Sequence, residues 1–219
     1  MIKLAVFDIA GTIVSDDGVV LDCFSAAFQE VVPEIWADRE REFLDYARET
    51  MGQSKIQVFE ELLQSPDLAA QAAKAFQRNY LSRLADVKLF KGVILMFDSL
   101  RARGVKIALN TGFNRETLDT MLSELGLRDS VDATATQSEA GEGRPSPAMI
   151  ALVAQQLGIS YPAEVAVIGD TKSDMEAAEN FGAGLKIAVL TGEHDRDELL
   201  AAGADHVLDH VVQVEQLLI

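Results

Sequence analysis

The stretch KLAVFD at residues 3–8 is a short apolar run ending in an acid, Asp8, and EVAVIGD at 164–170 ends the same way at Asp170. A third run, VKIALNT at 105–111, ends in Thr111 and is followed by Gly112. Asp174 comes one helical turn after Asp170, and Arg144 lies in GEGRPSP. If these runs are neighbouring strands, their polar ends meet where open parallel sheets bind ligands, beyond the carboxyl ends of the strands. Carboxylates gathered there repel one another unless a cation lies between them, and Mg2+ favours such oxygen ligands. One carboxylate can then attack a phosphorus atom while the metal screens the charge. Thr111, the amides of Thr111 and Gly112, and Arg144 are suited to hold phosphoryl oxygens. Gly11 and Gly112 allow the backbone to come close to a ligand.

The rest of the chain must place these groups. Residues 3–8 are β-favouring and buried in character. From about 19 to 86 the texture changes. LDCFSAAFQEVV, DREREFLDYARETM, KIQVFEELLQ and DLAAQAAKAFQRNYLSRL carry helical spacing, punctuated by Pro33, Gly52 and Ser65-Pro66. After Gly92, strand and helix patterns alternate, with Asn114 placed to cap a helix over NRETLDTMLSELG. Such alternation predicts an α/β fold: a Rossmann-like parallel sheet with helices on both faces. The first strand precedes the helical segment and its partners follow it. The expected division is therefore a core of residues 1–15 and 88–219, with 16–87 inserted as an all-helical cap. Asp16 and Asp17 are expected to be solvated linker residues, Gly18 a hinge, and Cys23 a small buried residue of a cap helix.

Composition narrows the partners. The 219 residues hold 19 Lys plus Arg against 35 Asp plus Glu, a net charge of −16. That excludes a nucleic-acid binder, which needs basic patches, and disfavours anionic membrane surfaces. A small anion remains compatible if a metal and a few local positive groups receive it. The single cysteine forbids an internal disulfide and fits a reducing, cytoplasmic setting. The first residues read as neither a signal peptide nor a membrane span. The three histidines lie near the C-terminus, outside these motifs.

Taken in order, DxxGT at Asp8–Thr12, the hydrophobic-Thr-Gly run at Thr111-Gly112, Arg144 before Pro-x-Pro, and GDTxxD at Gly169–Asp174 resemble the four motifs of the haloacid dehalogenase-like hydrolase superfamily. The helical insert resembles that superfamily's type 1 cap. The resemblance implies Asp8 as nucleophile, Thr111 and Arg144 as catalytic partners, and Mg2+ held at Asp8, Ala10, Asp170 and Asp174. Most phosphatases of the superfamily have a second aspartate where this chain has Ala10, which cannot donate a proton to a leaving oxygen. Asp-x-Ala-Gly-Thr, together with Met51-Gly52-Gln53-Ser54-Lys55-Ile56, is similar to phosphonoacetaldehyde hydrolase (phosphonatase). In that family the lysine forms a Schiff base with the aldehyde, which implies a catalytic Lys55 and substrate contacts at Gly11, Thr12, Met51, Lys55 and Gly112. Val58 stands where the family has a proton-transferring histidine, and Ile9 where it has tryptophan.

The reading is thus a Mg2+-dependent phosphonatase-like hydrolase that cleaves a phosphorus bond in a small phosphonate through an aspartyl-phosphate. The alternatives are a phosphomonoesterase or phosphomutase for a small phosphorylated metabolite, or a non-catalytic phosphate-binding regulator. A homodimer enters only through family resemblance.

Overall fold

The computed structural model describes residues 1–15 and 17–218, so the expectation for Asp16 lies outside the described residues. Leu4–Phe7 (β1) is buried along its whole length. Val14–Ser15 (β2) follows and pairs antiparallel with Lys88–Leu89 (β3), bringing together the two ends of the intervening helical segment. That segment holds Val19–Val31 (α1), Pro33–Glu49 (α2), Lys55–Leu63 (α3) and Pro66–Ser82 (α4). Pro33, read from sequence as punctuation, is the first residue of α2, a position where its missing N–H costs nothing. The backbone breaks instead at Arg39, whose φ of −125° interrupts the helix.

Alternation then takes over. Val93–Ala102 (α5), Lys106–Thr111 (β4), Arg115–Glu124 (α6), Ala133–Thr136 (β5), Gln137–Ala140 (α7) and Ala148–Gln156 (α8) build one half. Val165–Gly169 (β6), Lys172–Phe181 (α9), Leu185–Val189 (β7), Arg196–Ala201 (α10), His206–Leu208 (β8) and Glu215–Leu218 (α11) build the other. The six-stranded sheet runs β5-β4-β1-β6-β7-β8, with all neighbours parallel. Chain order reverses around β1, so the topological switch point lies at its carboxyl end.

Strand periodicity explains the layers. Ala5 and Phe7 face one apolar core with Ile107, Leu109 and Ile168. Leu4 and Val6 face the other, with Val167 and the α8 residues Met149, Ile150 and Val153. Successive side chains point to opposite faces, and both faces are covered, as a parallel sheet requires. The helical segment has a different interior. Phe28 of α1 meets Trp36, Phe43 and Phe59 with ring centroids 5.4, 4.7 and 5.0 Å away. Cys23 is buried on the same helix. Among the described residues, no helix is long and apolar enough to cross a membrane.

Candidate functional site

Register brings the motif residues together. Phe7 pairs with Leu109 on one side and with Ile168 on the other. The residues that follow these three therefore reach the same edge of the sheet, and Asp8 N–H donates to Ile168 O at 2.9 Å. Just beyond, Thr171 caps α9 and Asp174 answers it, Thr171 Oγ1 donating to Asp174 Oδ2 at 2.5 Å. The N-cap is thus Thr171, with Asp174 at the third helical position; Asp170 itself remains outside the cap.

Asp8, Asp170 and Asp174 are each at most 5% exposed, and one carboxylate oxygen from each lies within 4.8 Å of the others. Arg144, 2% exposed, is the cation set among them. Its Nη1 is 2.8 Å from Asp8 Oδ1, and its Nε is 2.9 Å from Asp174 Oδ1. Nη2 donates to both the backbone and side-chain oxygens of Asn110, at 2.9 and 2.7 Å. One buried arginine against three buried acids leaves negative charge uncompensated. Burial pushes the Asp8 carboxyl up to about 7; Arg144 pulls it down and Asp174 pushes it up. Asp170 is held well above the ordinary range by burial and then by Asp8 and Asp174, with the Thr12 hydroxyl opposing.

These residues fit a hard divalent cation. The donors are all carboxylate oxygens, which is what Mg2+ prefers. Asp174 Oδ1 has no hydrogen-bond partner, because its approach to Arg144 Nε lacks the geometry of a hydrogen bond. That oxygen keeps a lone pair available in a buried place.

A cavity of about 210 Å3 opens in front of this cluster, lined by Asp8, Ala10, Gly11, Asp170 and Thr171 on the sheet side. Thr111, Gly112 and Phe113 form a second wall, and Met51, Gly52 and Lys55 close it from the helical segment. Gly52 comes close because it has no side chain: at φ +86°, an added Cβ would lie 2.5 Å from Thr171 Oγ1. Its carbonyl oxygen accepts a hydrogen bond from Arg144 Nη1 at 3.1 Å. Lys55, the first residue of α3, places Nζ 5.5 Å from the ring centroids of Phe24 and Phe113 and 5.9 Å from Phe76.

Three expected site residues stand behind the cavity wall. Thr12 is fully buried and donates to Asp170 Oδ1 at 2.7 Å, so its hydroxyl positions that acid. Arg144 and Asp174 form the buried layer described above. Val58 packs in the apolar interior of the helical segment. Asn110 was missed from sequence, although a polar residue inside the apolar run VKIALNT was a usable signal. The aromatic rings around Lys55 had no such signal, since positions 24, 76 and 113 are far apart in the chain.

The sequence model of the haloacid dehalogenase-like hydrolases matches residues 2–182. Phosphonoacetaldehyde hydrolase of Bacillus cereus is 32% identical over 202 residues, covering 83% of this chain and 73% of that protein. The protein of the same name from Bacteroides fragilis is 28% identical over 215 residues, covering 80% of this chain and 82% of that protein. A hydrolase from Pseudomonas syringae has a crystal structure that superposes with a TM-score of 0.85 at 20% identity, covering 98% of this chain and 97% of that one. With the parallel sheet, the acid-lined strand ends and a match across most of its length, the chain belongs to the haloacid dehalogenase-like hydrolase family.

Proposed function

We propose that this hydrolase cleaves the phosphorus–carbon bond of a small phosphonate with a carbonyl next to the reacting carbon, phosphonoacetaldehyde being the first compound to test. One observation carries the reading: Asp8 and Lys55 face a single cavity, with Ala10 where an acid for an oxygen leaving group would stand. The similarity to proteins named phosphonoacetaldehyde hydrolase supports it.

In this reading the division at residues 16–87 makes the helical segment a cap that supplies Lys55, while the core supplies Asp8. Lys55 condenses with the aldehyde and keeps one of its ammonium protons on nitrogen, so that ammonium plus aldehyde gives an iminium and water. The three ring faces around Nζ favour a cation there, an ammonium before condensation and an iminium after it. An Asp8 oxygen attacks phosphorus, the P–C bond breaks, and its electron pair moves into the iminium to give an enamine. Water then releases acetaldehyde from Lys55, and a second water hydrolyses the aspartyl-phosphate to inorganic phosphate. Thr111, the Gly112 backbone and Arg144 orient the phosphoryl group and the nucleophile. Magnesium held by Asp8, Asp170, Asp174 and the Ala10 backbone would supply the charge screening that lets an anion approach ionised carboxylates.

A second reading, a phosphomonoesterase, is favoured by Asp17 and Glu193, whose side chains line the same cavity and offer carboxyls for leaving-group protonation. Borohydride reduction during turnover of phosphonoacetaldehyde separates the two. The first reading expects a reduced Lys55 adduct, lost together with activity in Lys55→Ala, and no phosphate release by Asp8→Asn. No adduct, with phosphoester turnover intact in Lys55→Ala, overturns it in favour of the second.

A further inference from the structure

A second cavity, of about 290 Å3, adjoins the first. Lys55, Gly112 and Phe113 line both, so this lysine and ring form the partition between them. The far side is walled by Ile56, Ala73 and Phe76 from α3 and α4, and by Asn114, which caps α6, Thr117 of α6 and Ser138 of α7. Apart from Lys55 at the partition, none of the described lining residues is an acid or a base. The chemistry changes across this partition, from crowded carboxylates on one side to methyl groups, a ring face, hydroxyls and amides on the other. Gln77 and Asn114, both in the wall, are joined by a 2.7 Å hydrogen bond from Asn114 Nδ2 to Gln77 Oε1, which ties the helical segment to the core at this rim.

We infer that the second cavity binds the organic end of the substrate, and that this end is an uncharged, mainly apolar chain bearing at most hydroxyl or carbonyl groups. A two-carbon aldehyde leaves this space unused. A carboxylate or ammonium group held among Ile56, Ala73 and Phe76, inside the exposed rim at Asn114 and Ser138, would lose hydration with no charged partner in that wall. The substrate class is therefore a phosphonate with a neutral tail longer than two carbons. The inference rests on the first cavity being the phosphorus site.

Calorimetric binding of methyl-, propyl-, pentyl-, 5-hydroxypentyl- and 4-carboxybutylphosphonate in excess Mg2+ tests it, since these compounds need no turnover. Affinity is expected to rise about tenfold or more from methyl to pentyl, from the burial of added methylenes. It is expected to hold for the hydroxyl-terminated compound and to fall for the carboxylate. Filling the cavity from opposite walls, with Ala73→Phe or Ser138→Trp, is expected to abolish the ratio between pentyl and methyl affinities. A ratio unchanged in both variants, no gain with length, or no binding at all overturns the inference. The length dependence appearing with no Lys55 adduct or Asp8 chemistry on any aldehyde would uphold the cavity's role while rejecting the phosphonatase reaction.

Discussion

The helical segment and the sheet bury different things. From α1 to α4 the interior is rings and alkyl side chains, and its described buried polar groups are Thr50, Ser54 and the Tyr80 hydroxyl. At the carboxyl edge of the sheet the molecule buries Asp8, Asp170, Asp174 and Arg144. The first interior is held mainly by apolar packing, with the Lys55 ammonium at its edge over Phe24 and Phe76, and has no buried acid among the described residues. The second is a set of opposed charges, whose cost depends on what else is bound and on how many protons are present. The groups of the proposed chemistry thus lie where opposed charges are buried, while the helical segment in front of them is packed mainly with apolar side chains.

The largest effects come from removing the central group of each interior. Phe28→Ala is expected to cost about 3–5 kcal/mol, as for other buried rings, and by the same amount with or without Mg2+. Arg144→Ala leaves three buried acids with no cation among them, and breaking such a pairing also costs about 3–5 kcal/mol. Here the loss should shrink markedly when Mg2+ is added. Denaturant unfolding of both variants, with chelator and with Mg2+, breaks the comparison if the two respond alike to the cation.

Asp170→Asn sharpens it next. The folded carboxyl is raised above its ordinary 3.8. Its contribution to stability is therefore fully present below 3.8 and is lost as pH rises through the raised value. Asparagine does not titrate, and its side-chain oxygen can keep the Thr12 hydrogen bond. In chelator, the variant should unfold at a higher temperature than the parent at alkaline pH, with the gap closing under acid conditions. Parallel pH profiles of the melting temperature would contradict this. The smallest effect is expected where the two regions meet. Asn114 caps α6 by accepting from Thr117 N–H at 2.9 Å and also holds Gln77 of α4. Asn114→Ala should cost about 0.5–2 kcal/mol, a cap's usual worth. Gln77→Ala, which spares the cap, should cost less in the same unfolding measurement.

Legibility followed the same division. Asp8, Thr111 and Asp170 could be read because each ends an apolar run, and a parallel sheet gathers such ends at one edge. The helical insert could be read because its apolar spacing runs through four long segments. The pairing of β2 with β3 could not, since two residues a side carry no period. Nor could the four-residue α7, which owes its place to the capping box of Thr136 and Glu139. Arg144 was visible as a basic residue beside prolines, yet its partners Asn110 and Gly52 come from segments 34 and 92 residues away. Thr12 was visible as part of a motif, but the direction of its hydroxyl depends on Asp170, 158 residues later. Contacts of that separation are decided by topology, and local pattern carries no record of them.

Arg144 Nη1 has a further consequence. The same nitrogen reaches Asp8 at 2.8 Å and the Gly52 carbonyl at 3.1 Å, and Gly52 belongs to the segment that closes the cavity. In the proposed reaction Asp8 is the attacking group, so one guanidinium nitrogen is shared between the nucleophile and a backbone carbonyl of the segment in front of it. A carbonyl nearer that nitrogen takes more of its donor strength and leaves the Asp8 oxygen freer to attack; a more distant one leaves the arginine to the acids and Asn110. The grip on the reacting oxygen is thus tied to where a glycine backbone lies, a place where an added Cβ would meet Thr171 Oγ1 at 2.5 Å.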